Sequence, residues 1–142
     1  MDIQVIPIKI SVIGSLNVGK TSLVIKYATG KDSTNIERKT TKNAMYVSKK
    51  QKVNGTYFEL TLWDTAGQEK YMCLTKLFTK DSKIAILVYA IDDEESFNML
   101  DHWLKLIKYS NQDEDIIYAV VANKSDLASE NTIPDKKRER IR

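Results

Sequence analysis

The run Gly14-Ser15-Leu16-Asn17-Val18-Gly19-Lys20-Thr21 places two glycines either side of four residues, then a lysine and a hydroxyl at once. That spacing suits a chain of phosphates. The backbone N–H groups of such a loop turn inward at phosphate oxygens, and a helix starting at its end adds the positive end of its dipole. Lys20 reaches the terminal phosphates as a compact charge, and the Thr21 hydroxyl can ligate Mg²⁺. Gly14, Asn17, Val18, Gly19, Lys20, Thr21 and Ser22 are therefore the candidate phosphate-contacting residues.

Two later tetrapeptides narrow the ligand. In Asp64-Thr65-Ala66-Gly67, the carboxylate can hold a Mg²⁺-bound water and the Gly67 N–H can touch a γ-phosphate. In Asn123-Lys124-Ser125-Asp126, the Asp126 carboxylate can accept two hydrogen bonds from guanine, at N1–H and the N2 amine. Leu127 completes that base site. Adenine has no donor at N1, and leaving the acceptor unpaired costs about 1–3 kcal/mol or more when charged. An ATP-using kinase or ATPase would give Asn123, Lys124 and Asp126 no work. The three motifs together predict a site for GTP or GDP with Mg²⁺.

The elements around these motifs fall into alternating types. Ile6 to Ile13 reads as a strand, and Ser22 to Ala28 as a helix that Gly30 can end. Ala44–Val53 and Tyr57–Trp63 read as strands joined by Asn54-Gly55, a two-residue turn whose members tolerate positive φ. Tyr71, Leu74, Leu77 and Phe78 recur at helical spacing. Ile84 to Ile91 is a continuous apolar run suited to a central strand covered on both faces. Asp92 with Glu95 predicts a capping box, opening a helix with Phe97, Leu100, Leu104 and Ile107 on one face. Ile116 to Ala122 is another buried-strand run. The expected fold is α/β, a mostly parallel sheet with one antiparallel hairpin, and each motif falls at a strand's carboxyl end, where such sheets bind ligands.

Length and composition bound the rest. The 142 residues make one domain; 42% are apolar, 29% are charged, and the net charge is +3. So small a charge gives no case for nucleic acid. No apolar run approaches the ~20 residues of a membrane span, and the start lacks the basic residues of a signal peptide. The single Cys73 rules out an internal disulfide and fits a reducing compartment, so a cytoplasmic chain is expected. His102, Trp63, Trp103, Met72 and Cys73 read as packing or surface residues rather than catalysts. The charged end from Asp135 to Arg142 reads as a solvated helix face.

With these motifs in view, the chain resembles the Ras superfamily of small GTPases, and within it the Rab family. The similarity runs from about Ile6 to Leu127. Trp63-Asp64-Thr65-Ala66-Gly67-Gln68-Glu69-Lys70-Tyr71 matches the Rab second-switch stretch almost residue for residue, and Leu87-Val88-Tyr89, Glu95-Ser96-Phe97 and Trp103-Leu104 follow Rab habits. The resemblance implies a monomeric GTP/GDP-binding switch that hydrolyses GTP slowly and acts in vesicle trafficking. It implies effector, exchange-factor and activating partners at two switch regions. By position, Gln68 orients the attacking water and Thr41, five residues before Tyr46, ligates Mg²⁺ with Thr21 and Asp64. Lys20 and Thr41 join Gln68 as the catalytic set.

The departures from that family carry expectations too. Leu16 replaces a small residue beside the γ-phosphate and should crowd Gln68, weakening hydrolysis; the extreme outcome is a GTP-binding scaffold that does not turn over. Asn17 stands where glycine is usual, a mild change because Asn tolerates positive φ. No aromatic lies between Tyr27 and Tyr46 to cover the guanine edge, which predicts faster nucleotide exchange. After Leu127 the sequence shows only the start of a fourth helix, capped by Thr132 with Pro134 in its first turn. A domain over 1–142 without the sixth strand and fifth helix is therefore expected, with an exposed fifth strand and no prenylated cysteine or other membrane anchor. An endomembrane address would belong to a longer form.

Overall fold

The computed structural model describes residues 4–30, 45–65, 72–111, 115–128 and 133. Its strands are β1 (Val5–Ile13), β2 (Met45–Val53), β3 (Thr56–Asp64), β4 (Ile84–Ala90) and β5 (Ile117–Asn123). Its helices are α1 (Lys20–Thr29), α2 (Met72–Thr79), α3 (Glu94–Asn98) and α4 (Leu100–Ser110). The sheet order is β2-β3-β1-β4-β5. Every pair is parallel except β2–β3, which runs antiparallel from Met45↔Asp64 to Val53↔Thr56. The α/β fold with one antiparallel hairpin is as expected from the sequence. Asn54 and Gly55 both take positive φ, 49° and 85°, which closes the turn in the hand that twisted strands require.

The central strands divide their side chains between two apolar layers. Ala85, Leu87 and Tyr89 of β4 join Ile13 and meet Phe97, Leu100, Trp103, Leu106 and Ile107 of α3 and α4. The alternate residues Val88 and Ala90 join Ile10 and Val12 and meet Val18 and Val24 on the α1 side. Period-two alternation with both faces buried makes β4 read as an unbroken apolar run. Each buried Val, Leu, Ile or Phe side chain of these layers contributes roughly 1.5–3 kcal/mol. At one side of the described sheet, β5 leaves Ile117, Tyr118 and Val120 exposed. No helix among the described residues is long and apolar enough to cross a membrane.

Two local expectations are corrected. The helix after β4 is capped by Asp93, not Asp92: Asp93 is extended (φ −126°, ψ 94°) and its carboxylate accepts the Ser96 N–H at 3.1 Å. The Ser96 hydroxyl accepts the Ala90 N–H at 3.1 Å and donates to the Asp93 carbonyl at 2.6 Å. Those bonds fasten the helix start to the end of β4 one residue later than a capping box would. That helix is also divided at Met99 (φ −75°, ψ −10°), although Met99 N–H to Glu95 O and Trp103 N–H to Met99 O carry bonding across the joint. In α2, Leu77 is 63% exposed. Among the described side chains of α2, Thr75 and Thr79 are buried, with Phe78 against Trp63 at 5.8 Å, and Leu77 falls off that arc. The side chains of Tyr71, Leu74, Met72 and Cys73, the helix-start residues Thr132 and Pro134, and the charged end lie outside the described residues.

Candidate functional site

The carboxyl ends of β1, β3 and β5 lie at one end of the sheet, because β1 is parallel to β3 and to β4, and β4 to β5. The register sets Val12 beside Asp64 and Ala90 beside Asn123. The glycine loop leaves β1 here and returns as α1. Its first glycine is fixed by crowding: a Cβ on Gly14 would lie 2.1 Å from the Val88 carbonyl oxygen. Asn17 takes φ 60°, the positive value expected of it. Val18 is fully buried in the α1-side layer, anchoring the loop by its only long apolar side chain apart from Leu16.

Gly19 caps α1 at φ 96° with no side-chain bond to the helix, and Leu23 N–H bonds its carbonyl at 3.1 Å. A helix begun this way directs its first N–H groups and positive dipole end at whatever the loop encloses. No acidic residue occupies the first turn of α1, so nothing there opposes an anion. Lys20 is 6% exposed and arches back over the loop, donating from Nζ to the carbonyls of Gly14 at 2.8 Å and Ser15 at 2.7 Å. The Ser15 hydroxyl is buried without a hydrogen-bond partner among the described residues. Ser22 is exposed at the start of α1, and Leu16 is 38% exposed.

Beside the loop, Thr21 Oγ1 donates to Asp64 Oδ2 at 2.5 Å. Asp64 is fully buried, and its Oδ1 has no hydrogen-bond partner among the described residues. Burial pushes the Asp64 carboxyl above the usual carboxylate range, against the Thr21 bond and the Lys20 charge, which pull it down. A hydroxyl and a carboxylate with an unmet oxygen form an all-oxygen, hard donor set, which fits Mg²⁺ or its bound water. Thr65 holds this carboxylate in place, since its N–H and hydroxyl both donate to the Val12 carbonyl, at 3.3 and 2.9 Å.

Asn123 joins the third strand end to the loop. Its Nδ2 donates to the Val18 carbonyl at 2.8 Å, and its own carbonyl accepts the Ile91 N–H at 3.1 Å. The contact is close enough that a Cβ on Gly19 would sit 2.2 Å from Asn123 Nδ2. Lys124 turns the chain at φ 61° into a 3-10 turn, Ser125–Leu127. That turn leaves the Asp126 carboxylate and Leu127 at the surface.

The structure therefore gathers Gly14, Asn17, Val18, Gly19, Lys20, Thr21, Ser22, Asp64, Asn123, Lys124, Asp126 and Leu127 at one end of the sheet. Thr41, Gly67 and Gln68 lie outside the described residues. Sequence reasoning missed Thr65 and Ser15. For Thr65 the signal was available: a hydroxyl directly after a strand's last residue can close on a neighbouring strand. Trp103 is buried at 2% exposure, and Trp63 stacks on Tyr46 at 5.4 Å, packing roles as expected.

Comparison with known proteins adds the family. The sequence model of the Ras family matches residues 9–141. The Ras-related protein Rab-21 of Geodia cydonium is 37% identical over 128 residues, covering 90% of this chain and 55% of that protein. The Ras-related protein RABC2b of Arabidopsis thaliana is 36% identical over 126 residues, 88% of this chain and 60% of its own. The Ras-related protein Rab-11B of Dictyostelium discoideum is 40% identical over 119 residues, 84% of this chain and 53% of its own. The chain thus spans little more than half the length of these relatives. A family match across nearly the whole sequence and Rab-named relatives at this identity establish that the chain belongs to the Ras family, as a Rab-like small GTPase.

Proposed function

We propose that this chain is a guanine-nucleotide switch that binds GTP and GDP with Mg²⁺, hydrolyses GTP slowly, and acts in vesicle trafficking. The observation that carries the reading is Asn123 bonding the Val18 carbonyl at 2.8 Å, because it makes the base motif and the phosphate loop one rigid unit. Gly14 to Ser22 cradle the phosphates, with Lys20 as a compact charge, and Asn123, Lys124, Asp126 and Leu127 hold guanine. Thr21, Thr41 and Asp64 would hold Mg²⁺, which neutralises charge on the phosphate oxygens. Gln68 orients the attacking water. With little covalent chemistry to perform, the site works by positioning and charge stabilisation. Without an arginine from a partner, turnover on the order of 10⁻⁴–10⁻³ s⁻¹ is expected. Effector, exchange-factor and activating proteins read the two switch regions of a cytoplasmic monomer, at an endomembrane surface in a form that carries prenylated cysteines.

The test is nucleotide binding followed by turnover. Purified chain should retain GTP or GDP and bind fluorescent GDP in competition with GTP but not ATP; Asp126→Asn should abolish that selectivity. Equal affinity for ATP, or selectivity unmoved by Asp126→Asn, would exclude the reading. A second reading, a GTP-binding scaffold without useful turnover, is favoured by the branched Leu16 side chain on the loop surface. Multiple-turnover phosphate release separates the two.

A further inference from the structure

One residue past the end of β4, Ile91 uses both its backbone groups on the β5 side. Its N–H donates to the Asn123 carbonyl at 3.1 Å, and its carbonyl accepts the Ile133 N–H at 3.0 Å. In a parallel ladder one residue bonds two on the neighbouring strand, one either side of its own level. The second of these would be Ser125 had β5 run on. Instead the chain turns away at Lys124, φ 61°, and Ile133 takes that rung. Asn123 and Ile133 thus both end on Ile91, one on each side of the base-motif turn in sequence. Ile91 and Ile133 are 4% and 3% exposed and share the apolar layer of α3 and α4 with Tyr89 and Phe97. The turn that carries Asp126 has no such hold of its own, since Ser125 to Ala128 are all exposed.

We infer that Ile91 and Ile133 are positioning residues for guanine recognition, bracing Asn123 through its backbone carbonyl while its side chain holds the phosphate loop. The inference rests on the functional reading above. Asn123 is fixed from two directions: Nδ2 donates to the Val18 carbonyl at 2.8 Å, and its own carbonyl accepts the Ile91 N–H. The first bond ties the base motif to the loop. The second sets where the turn toward Asp126 begins, and Ile133 keeps Ile91 in place by its own bond and by its buried side chain. A carboxylate that must meet two donors on one edge of guanine tolerates little displacement, because hydrogen bonds weaken steeply as they lose alignment. Truncating Ile133 opens a cavity in the layer that seats this rung, so the brace loosens from behind the motif and not from the nucleotide side.

The full chain carrying Ile133→Ala is compared with wild type, with Leu106→Ala as a control: Leu106 is 6% exposed in the same layer, on α4. Affinities for GDP and for IDP, which lacks the N2 amine of guanine, are measured by competition with fluorescent GDP. Melting temperature and amide hydrogen exchange over residues 123–128 are measured alongside. Wild type should prefer GDP about tenfold or more, the factor of one hydrogen bond to a charged group. Ile133→Ala should cut that preference about fivefold or more, the lower end of coupling between sites, and speed exchange over 123–128. Ile133→Val, one methylene shorter, should shift both in the same direction by less, and it decides the matter if Ile133→Ala does not fold. Leu106→Ala should melt lower yet keep the wild-type preference. An unchanged preference in the Ile133 variants overturns the inference, and so does an equal fall in Leu106→Ala, which general loosening predicts. A wild-type chain that binds no guanine nucleotide, or GDP no better than IDP, overturns the functional reading and the recognition half of this one, while exchange over 123–128 still decides the brace.

Discussion

Replacing Gly19 by alanine tests the contact on which the nucleotide reading depends. Two costs follow from the structure. The residue sits at φ 96°, a conformation that costs an L side chain about 1–3 kcal/mol. Its new Cβ would also meet Asn123 Nδ2 at 2.2 Å, so the asparagine must leave. That strands the carbonyl of Val18, a fully buried residue, at about 1–3 kcal/mol. The strain falls on stability; the second cost, about 1–3 kcal/mol, disturbs the site itself and corresponds to a loss of roughly 5- to 150-fold in affinity. Titration with fluorescent GDP measures it directly. Gly30→Ala supplies the control, because φ is 71° there but nothing among the described residues lies within 4 Å of its Cβ; it should lower stability and leave GDP affinity alone. A double-mutant cycle separates the two costs: after Asn123→Ala the clash is gone, and Gly19→Ala should add only strain. Wild-type affinity in Gly19→Ala, or full additivity in the cycle, would refute the reasoning.

Two further outcomes are expected. Leu16→Gly should raise single-turnover GTP hydrolysis by about tenfold, given what misplacement costs at such sites, and an unchanged rate would clear Leu16 of crowding Gln68. Asp64 is held above its usual range by burial, so its contribution to stability is fullest below the unfolded carboxylate pKa and is lost as pH rises through the raised folded value. Metal-free Asp64→Asn should therefore melt higher than metal-free wild type at pH 7, while losing any rise in melting temperature that Mg²⁺ gives wild type; a lower melting point would contradict the assignment.

Much of this architecture was legible because periodicity and turn chemistry are local. The two-faced burial of β4 followed from its apolar run, and the hairpin from Asn54-Gly55. Motif placement followed from strand ends, since Gly14 follows β1 while Asp64 and Asn123 are the last residues of β3 and β5. What failed was decided at longer range or by a single residue's geometry. Asp92 and Asp93 are equal candidates in sequence; only the backbone at the end of β4, bonded by Ser96, selects Asp93. The Asn123–Val18 bond spans 105 residues of chain, a distance no local pattern carries.

The Asn54-Gly55 turn lies at the far end of the sheet from the strand ends that gather the nucleotide motifs. Nine-residue strands on each side of it put about 30 Å between that turn and Asp64 at ~3.3 Å per residue. Both turn residues already hold positive φ, and a Cβ on Gly55 would meet nothing within 4 Å. The hairpin tip is thus a natural attachment point. A fluorophore or an inserted peptide placed there would sit away from those strand ends, leaving free the surface on which the proposed function places nucleotide.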